Sequence, residues 1–279
     1  MKTGLFLIIV ICSILYSPLY ANEKPAFENG TELAQAVYDR PDGRNAYSRG
    51  LMVLIEKGHK PRVRKMYTFR EDRENGDIAS LIRFEKPADI KNTGLLTIDY
   101  DSDKDTDQWI YLPAIKKARR IASSRKGGHF VGSDILYEDL RDRKVSADNH
   151  RLLGDENVNG VKTLKLESIP VDPENSVYTK KISWVHPESL VALRIDFYQG
   201  GSKPSKRTLV KKLEKKQGFW TIMNSVVIDL RTQHETHLRM DDIVYDQKIP
   251  SELFSLRYLE DPQREKQVLK KIAKNIPGQ

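Results

Sequence analysis

Between residues 44 and 247 the chain repeats one unit: eight to fourteen residues rich in β-branched and aromatic side chains, then a short run of turn residues. That rhythm constrains the fold more than any other feature, because strands of such length separated by turn chemistry pair with their neighbours as antiparallel hairpins. Residues 44–57 hold the run Leu51-Met52-Val53-Leu54-Ile55. Residues 62–73 alternate, with Val63, Tyr67 and Phe69 on one face and Arg62, Arg64 and Arg70 on the other. Asn75-Gly76 is a two-residue hairpin signal, followed by strands at 78–85, 95–100 and 108–112. After an interruption, strands resume at 151–157, 161–169, 180–186, 190–198, 207–216, 220–231 and 235–247, with turns at Asn159-Gly160 and Pro187-Glu188-Ser189. From these twelve segments the expectation is a sheet of about ten or eleven antiparallel strands.

Helical patterns are few. Residues 31–39 suit a short helix with Thr31 as N-cap and Leu33, Ala36 and Val37 on one face; Pro41-Asp42-Gly43 stops it. Between 116 and 142 the strand rhythm fails, and Gly127, Gly128 and Gly132 suggest a flexible loop entering a short helix over 133–140. The tail 262–275 is basic and helical in pattern, with Val268, Leu269 and Ile272 as its apolar side. No linker or repeat divides the chain, so residues 22–279 read as one domain. The expected class is mainly β, α+β by strict class: an unclosed antiparallel β-barrel or curved sheet with helices lidding its concave face. Helices so few leave part of that apolar face uncovered, so a cavity is expected.

The first 21 residues have a different character. A positive charge at Lys2, an apolar run from Leu5 to Leu15 and the small residue Ala21 follow the layout of a secretory signal. The run is short for a membrane span, which needs about 20 apolar residues. The expectation is export to the periplasm with cleavage after Ala21. Cys12 is the sole cysteine and lies inside that run, so residues 22–279 have no thiol and stability must come from the core. A formal net charge of +8 favours anionic partners. Lipid head groups and acidic protein surfaces suit an exported protein, and nucleic acid does not.

Patterns that would signal catalysis fail on inspection. His234 and His237 are three apart in strand-like sequence, which puts them on opposite faces. Asp101, Asp103, Asp105 and Asp107 alternate as in a calcium loop, but Thr106 stands where the loop needs glycine and Leu112 where it needs glutamate. His129, Ser133 and Asp134 lack a nucleophile elbow. The expectation is a protein with no enzymatic activity, cofactor or metal.

Two basic clusters carry more information. Residues 203–216 read equally well as a solvated strand edge. The other, Lys116, Lys117, Arg119, Arg120, Arg125 and Lys126, follows an aromatic strand and precedes the glycine-bearing loop, an arrangement that suits the rim of an apolar groove.

The run Trp109-Ile110-Tyr111-Leu112-Pro113 with Arg119-Arg120, then Gly132-Ser133-Asp134 and Tyr137-Glu138-Asp139-Leu140, resembles the outer-membrane lipoprotein-sorting-protein-like family. Asp42-Gly43-Arg44 and Leu256-Arg257-Tyr258-Leu259-Glu260 extend the match over essentially the whole chain after residue 21. The resemblance implies a fold like the carriers and receptors of the LolA and LolB kind, in which a helix-lidded half-barrel encloses an apolar cavity for acyl chains. It also implies a soluble periplasmic carrier that sorts a lipid or lipoprotein toward the outer membrane. An exporter of the resistance–nodulation–division class is an implied partner, and docking on such an exporter without cargo is the alternative. On this reading Trp109, Tyr111, Leu112 and Phe130 line or flank the cavity. Arg119, Arg120, Arg125 and Lys126 meet anionic head groups or the membrane, and Gly127, Gly128 and Gly132 serve as lid hinge.

Overall fold

A computed structural model describes residues 27–102 and 104–273. The proposed signal segment, Asp103 and the last residues of the tail lie outside the described residues.

Thirteen strands form one antiparallel sheet. The first six are β1 (Asn45–Ile55), β2 (Arg62–Asp72), β3 (Ile78–Lys86), β4 (Gly94–Asp99), β5 (Asp107–Leu112) and β6 (Lys117–Arg120). The remaining seven are β7 (Asp148–Val158), β8 (Val161–Pro170), β9 (Lys180–Val185), β10 (Ala192–Tyr198), β11 (Lys206–Lys216), β12 (Phe219–Asp229) and β13 (Glu235–Tyr245). Their spatial order is β6-β5-β4-β3-β2-β1-β13-β12-β11-β10-β9-β8-β7. Two meanders are therefore zipped together at β1 and β13, and β6 and β7 are free edges. Residues 121–147 must travel from one edge to the other, and they do so across one face of the sheet.

The count exceeds the ten or eleven expected. β6, the main addition, is four residues of Lys-Ala-Arg-Arg with no apolar alternation. It exists because β5 offers it a partner from Trp109 to Leu112. The helix expected over 133–140 does not form; single 3-10 turns at Phe130–Gly132 and Tyr137–Leu140 take its place. The first helix, α1 (Gly30–Tyr38), is capped by Asn29 rather than Thr31, the Asn29 side chain accepting from the Glu32 backbone N–H at 2.9 Å.

Curvature follows from the cavities. Ile78 on β3 and Leu166 and Ser168 on β8 line a single hollow. Those strands are eight steps apart in the sheet, about 38 Å along a flat one. The sheet must therefore curl, and the face carrying these residues is concave. Strand alternation assigns the rest: Phe84, Ile82, Leu95 and Ile110 share the concave side, while Tyr67, Phe69, Arg83, Leu96, Trp109 and Tyr111 share the convex side.

Each face has its own cover. On the convex side, α2 (Leu256–Glu260) and α3 (Pro262–Ala273) pack Leu259, Val268, Leu269 and Ile272 against Tyr47, Tyr67, Phe69, Leu81 and Tyr111. The spacing 265, 268, 269, 272 puts Glu265 on that same apolar stripe. There it meets Arg83, with 0% and 1% of the two side chains exposed. Arg83 Nε donates to Glu265 Oε2 at 3.0 Å and Tyr67 Oη donates to the same oxygen at 2.7 Å. Arg83 also donates to the carbonyls of Asn92 and Leu259, at 2.6 and 2.8 Å, so its donors are well satisfied. Gly94 makes room for it: a Cβ there would lie 2.5 Å from Arg83 Nη1. The C-terminal helices thus lock onto the convex face, while α1 and the turns of residues 121–147 lid the concave one.

Candidate functional site

The concave face is floored by small hydroxyl side chains at its centre. Ser48 and Thr68, Ser168 and Ser183, and Thr208 and Ser225 form a band across both meanders. Larger side chains at those positions would meet the cover; these leave space beneath it. Toward one side, Ile135, Leu140, Ile195, Phe197, Val227 and Leu238 give a half-open chamber of about 340 Å³ its mainly apolar surface, with Glu138, Asp139, Arg141, Arg143 and Lys181 also in its walls. A second chamber of about 520 Å³ adjoins it under α1, and the two share Arg143, Lys181 and Ile195 in their walls. Each has a volume suited to a small organic ligand. At the shared wall two cations face one carboxylate: Arg143 Nη2 lies 2.8 Å and Lys181 Nζ 3.3 Å from Asp148. Burial pushes the Asp148 carboxyl up, but bonds from Arg143 and Lys181 outweigh it and hold the group below the usual carboxylate range.

A larger cleft of about 530 Å³ lies on the convex side, walled by Arg49, Lys65, Lys86, Lys91, Lys266, Glu85, Asp241 and Asp242 among others. Charged ends ring its rim, while Met66, Tyr67, Phe84 and Leu269 line it as well. The pocket under residues 135–140 has the more apolar walls of the two.

Residues 121–147 are fixed by carboxylates. The backbone reverses at Val131 and Gly132, with φ of 48° and 70°. Glycine suits that conformation and a β-branched residue resists it. The reversal drives Phe130 and Ile135 into the core, where the Phe130 ring lies 5.7 Å from that of Phe84. Arg64 on β2 donates to the Val131 carbonyl at 2.6 Å. Buried Asp134 accepts from Thr236 Oγ1 at 2.7 Å and pairs with His234 Nδ1 at 2.7 Å. Glu138 accepts from Ser176 Oγ and, at 2.8 Å, from the Val177 backbone N–H. Asp139 accepts from Tyr178 Oη at 2.7 Å and from Lys206 Nζ. Burial lowers the Lys206 pKa, while Asp139 opposes that shift. The acids of the Gly-Ser-Asp and Tyr-Glu-Asp-Leu runs are thus the rivets of the concave cover.

The residues singled out in the sequence fall in three places. Phe130 and Leu112 belong to the concave cluster. Trp109 and Tyr111 do not reach the cavity: alternation sends them to the convex side, where Tyr111 is buried under the C-terminal helices and Trp109 packs beside it. Arg120 is tied to Asp107 and Lys126 to the Glu174 carbonyl, whereas Arg119 and Arg125 are exposed. Gly132 occupies a left-handed turn, and Gly127 allows close approach to Val177, whose Cγ1 would lie 2.9 Å from a Cβ there. Gly128 packs against the Arg125 carbonyl and the Tyr137 ring.

The other constellations also resolve into local contacts. Ser133 Oγ is buried and donates to the Phe130 carbonyl at 2.7 Å, while Asp134 turns to His234. His237 bonds Glu235 instead of joining His234. Asp105 is held by Arg141 and Ser123, and Asp107 by Tyr100, Lys104 and Arg120.

Sequence reasoning missed Arg83, Glu265, Lys206 and the hydroxyl floor. An acid at the spacing of an apolar helical stripe, and an arginine in the apolar strand at 78–86, were the available signals for the first two. Nothing local marks Lys206.

A family described as an uncharacterized protein matches residues 76–261. The chain is 30% identical to a DUF1329 family protein from Desulfovibrio piger, with a TM-score of 0.79, covering 82% of this chain and 97% of that one. It is 27% identical to a putative outer membrane lipoprotein-sorting protein domain from Vibrio parahaemolyticus, with a TM-score of 0.78 and coverage of 83% and 98%. A LolA superfamily protein from Nitrosomonas europaea, 16% identical over 81% of this chain and 96% of its own, has a TM-score of 0.63 and shares the fold. No curated protein matches the sequence.

Proposed function

The chain belongs to the outer-membrane lipoprotein-sorting-protein-like family, DUF1329, and on that premise we propose that it is an exported carrier that shelters the acyl chain of a lipid or lipoprotein in its concave hollow. The observation that carries this reading is the mainly apolar chamber of about 340 Å³ between the sheet and residues 135–140. A hydrocarbon tail in water costs about 0.8 kcal/mol per CH₂, so a fourteen-carbon chain needs on the order of 10 kcal/mol of shelter. Ile135, Leu140, Phe197, Val227 and Leu238 offer such walls without covalent chemistry.

The polar end of the cargo lies toward Arg143 and Lys181, where two cations share Asp148. Gly127, Gly128 and Gly132 belong to the cover and would bend as it lifts. Phe130 and Leu112 anchor the cover's far side. The role first expected of Trp109 and Tyr111 passes to the chamber residues, since those two rings face the other way. Export rests on the signal pattern of residues 1–21. No described helix is long and apolar enough to cross a membrane.

Organic extraction of the purified protein followed by mass spectrometry tests the reading. Bound lipid is expected, together with uptake of a fluorescent fatty acid that Ser225→Phe, which fills the chamber, abolishes. Lipid-free protein that takes up no probe would sink the carrier, and a partner protein of a resistance–nodulation–division exporter would then be the better account.

A further inference from the structure

The first meander is electrically polarised along its strands. Its three hairpin tips at one end, β1–β2, β3–β4 and β5–β6, are neighbours because strands β1 to β6 lie in consecutive order. They carry Lys57 and Lys60, Lys86 and Lys91, and Lys116 and Lys117, all exposed and none in a described ion pair. The acids nearby are Glu56, which faces His59; Asp89; and Glu85, Asp241 and Asp242, which share a cleft with Lys86 and Lys91. Glu260 is also near and accepts from the Ala118 backbone N–H at 2.9 Å. None of these acids forms a described ion pair with the six lysines. At the opposite end, the β2–β3 turn and the β4–β5 loop carry Glu74, Asp77, Asp101 and Asp105, the last paired with Arg141, while their own cations Arg73 and Lys104 pair with Glu71 and Asp107.

Many of the other basic residues share a carboxylate, although Lys266, Lys270 and Lys271 on α3 are in no described ion pair. Arg194 and Arg207 share Asp196, Arg151 and Lys180 share Glu167, and Lys212 and Lys216 share Glu214. Protection of a sheet edge does not explain lysines at the first two tips, since β1 to β4 are interior strands. Two apolar side chains stand exposed among these cations, Val63 at 49% and Ile115 at 41%. Unpaired cations around protruding aliphatic groups match the chemistry of an anionic bilayer, with phosphates at its surface and hydrocarbon just below.

We propose that these three hairpin tips form a docking surface for an anionic lipid bilayer, with Ile115 entering the head-group layer and the six lysines meeting its phosphates. The acidic far end orients the approach by facing away from the membrane. The inference rests on the carrier reading for its purpose, the collection or delivery of cargo, and on charge placement for its chemistry. It also moves membrane contact from Arg120 and Lys126, which have partners within the protein, to side chains that have none.

Co-sedimentation with vesicles of equimolar phosphatidylglycerol and phosphatidylethanolamine, against vesicles of phosphatidylcholine, tests it without any cargo. The protein binds the first and not the second, and binding falls as salt rises. Each cation near such a surface contributes about fivefold, so Lys116→Glu with Lys117→Glu weakens binding at least about 25-fold, as does Lys57→Glu with Lys60→Glu. Ile115→Ser, which leaves the charge intact, weakens it about tenfold. Thermal melting is unchanged in all three, because the tips are exposed. Failure of the unmodified protein to bind at low salt, or indifference to both double reversals, overturns the docking surface. Capture of an acidic protein without vesicle binding overturns it too. If bound lipid is nonetheless extracted from the same preparation, docking fails alone and the carrier reading survives.

Discussion

The two covers of the sheet solve the same problem in opposite ways. On the convex face a regular helix lays one stripe, Val268, Leu269 and Ile272, against aromatic strands, and its single buried acid is met by Arg83 and Tyr67. On the concave face an irregular segment is held by separate carboxylates at Asp134, Glu138 and Asp139, each reaching a different strand or loop. A helix brings a continuous apolar stripe that fills the space beneath it and leaves a cleft with charged walls beside Lys266; a segment tacked down at points leaves a hollow with more apolar walls between the tacks. The difference teaches which face offers an apolar chain the better shelter.

The sharpest way to break that comparison is at the helical cover. Glu265→Ala leaves the Arg83 guanidinium buried without its anion, and denaturant unfolding should show a loss of about 3–5 kcal/mol. A double change to Arg83→Met and Glu265→Leu should recover most of it, since an apolar pair of similar size removes the uncompensated charge. An unaffected single variant would mean that the clamp does not hold α3 to the sheet.

The riveted cover should yield less, and locally. Asp139→Ala removes the partner of Lys206, but burial already lowers the Lys206 pKa, so the amine can shed its proton. A loss of about 2 kcal/mol is expected. Hydrogen exchange should accelerate at residues 129–141 before it does in β2 or β3. Uniform acceleration through the sheet would argue that both covers are parts of one cooperative unit.

Asp99 probes the acidic end of the first meander. Burial raises its pKa to about 6 in spite of a bond from Thr106. A folded pKa above the unfolded one means that the native state binds the extra proton between about pH 4 and 6. Stability from this group is therefore present below pH 4 and lost as pH rises through 6. Asp99→Asn should be more stable than the parent at pH 7, by up to about 3 kcal/mol. The advantage should vanish near pH 4 in paired thermal melts. A gain independent of pH would assign the effect to packing instead.

Smallest in stability and largest in selectivity is Thr208→Leu on the hydroxyl floor. Filling empty space changes stability by no more than about 1 kcal/mol. Uptake of a fluorescent fatty acid should nevertheless drop sharply. Full uptake by this variant would place the ligand outside the concave chamber.

Much of the architecture was legible along the chain. The hairpin at Asn159-Gly160 and the apolar side of the tail helix are local properties, and the structure reproduces them; a hairpin also forms at Asn75-Gly76, but its turn is longer than two residues, with pairing ending at Asp72 and Ile78. β6 was not legible, because Lys-Ala-Arg-Arg becomes a strand only when β5 offers its free edge. The faces of Trp109 and Tyr111 were not legible either. Alternation shows that two such rings share a side, but not which side will be hollow.

The sequence by itself determined the antiparallel meanders and the family, because strand length, turn chemistry and short motifs are written in neighbouring residues. Only the tertiary structure decided which face takes the C-terminal helices and which takes the irregular cover. That choice depends on Glu265 finding Arg83, on Asp139 finding Lys206, and on six small hydroxyl residues from distant strands meeting on one floor. Such contacts join residues far apart in the chain, and no local pattern encodes their meeting.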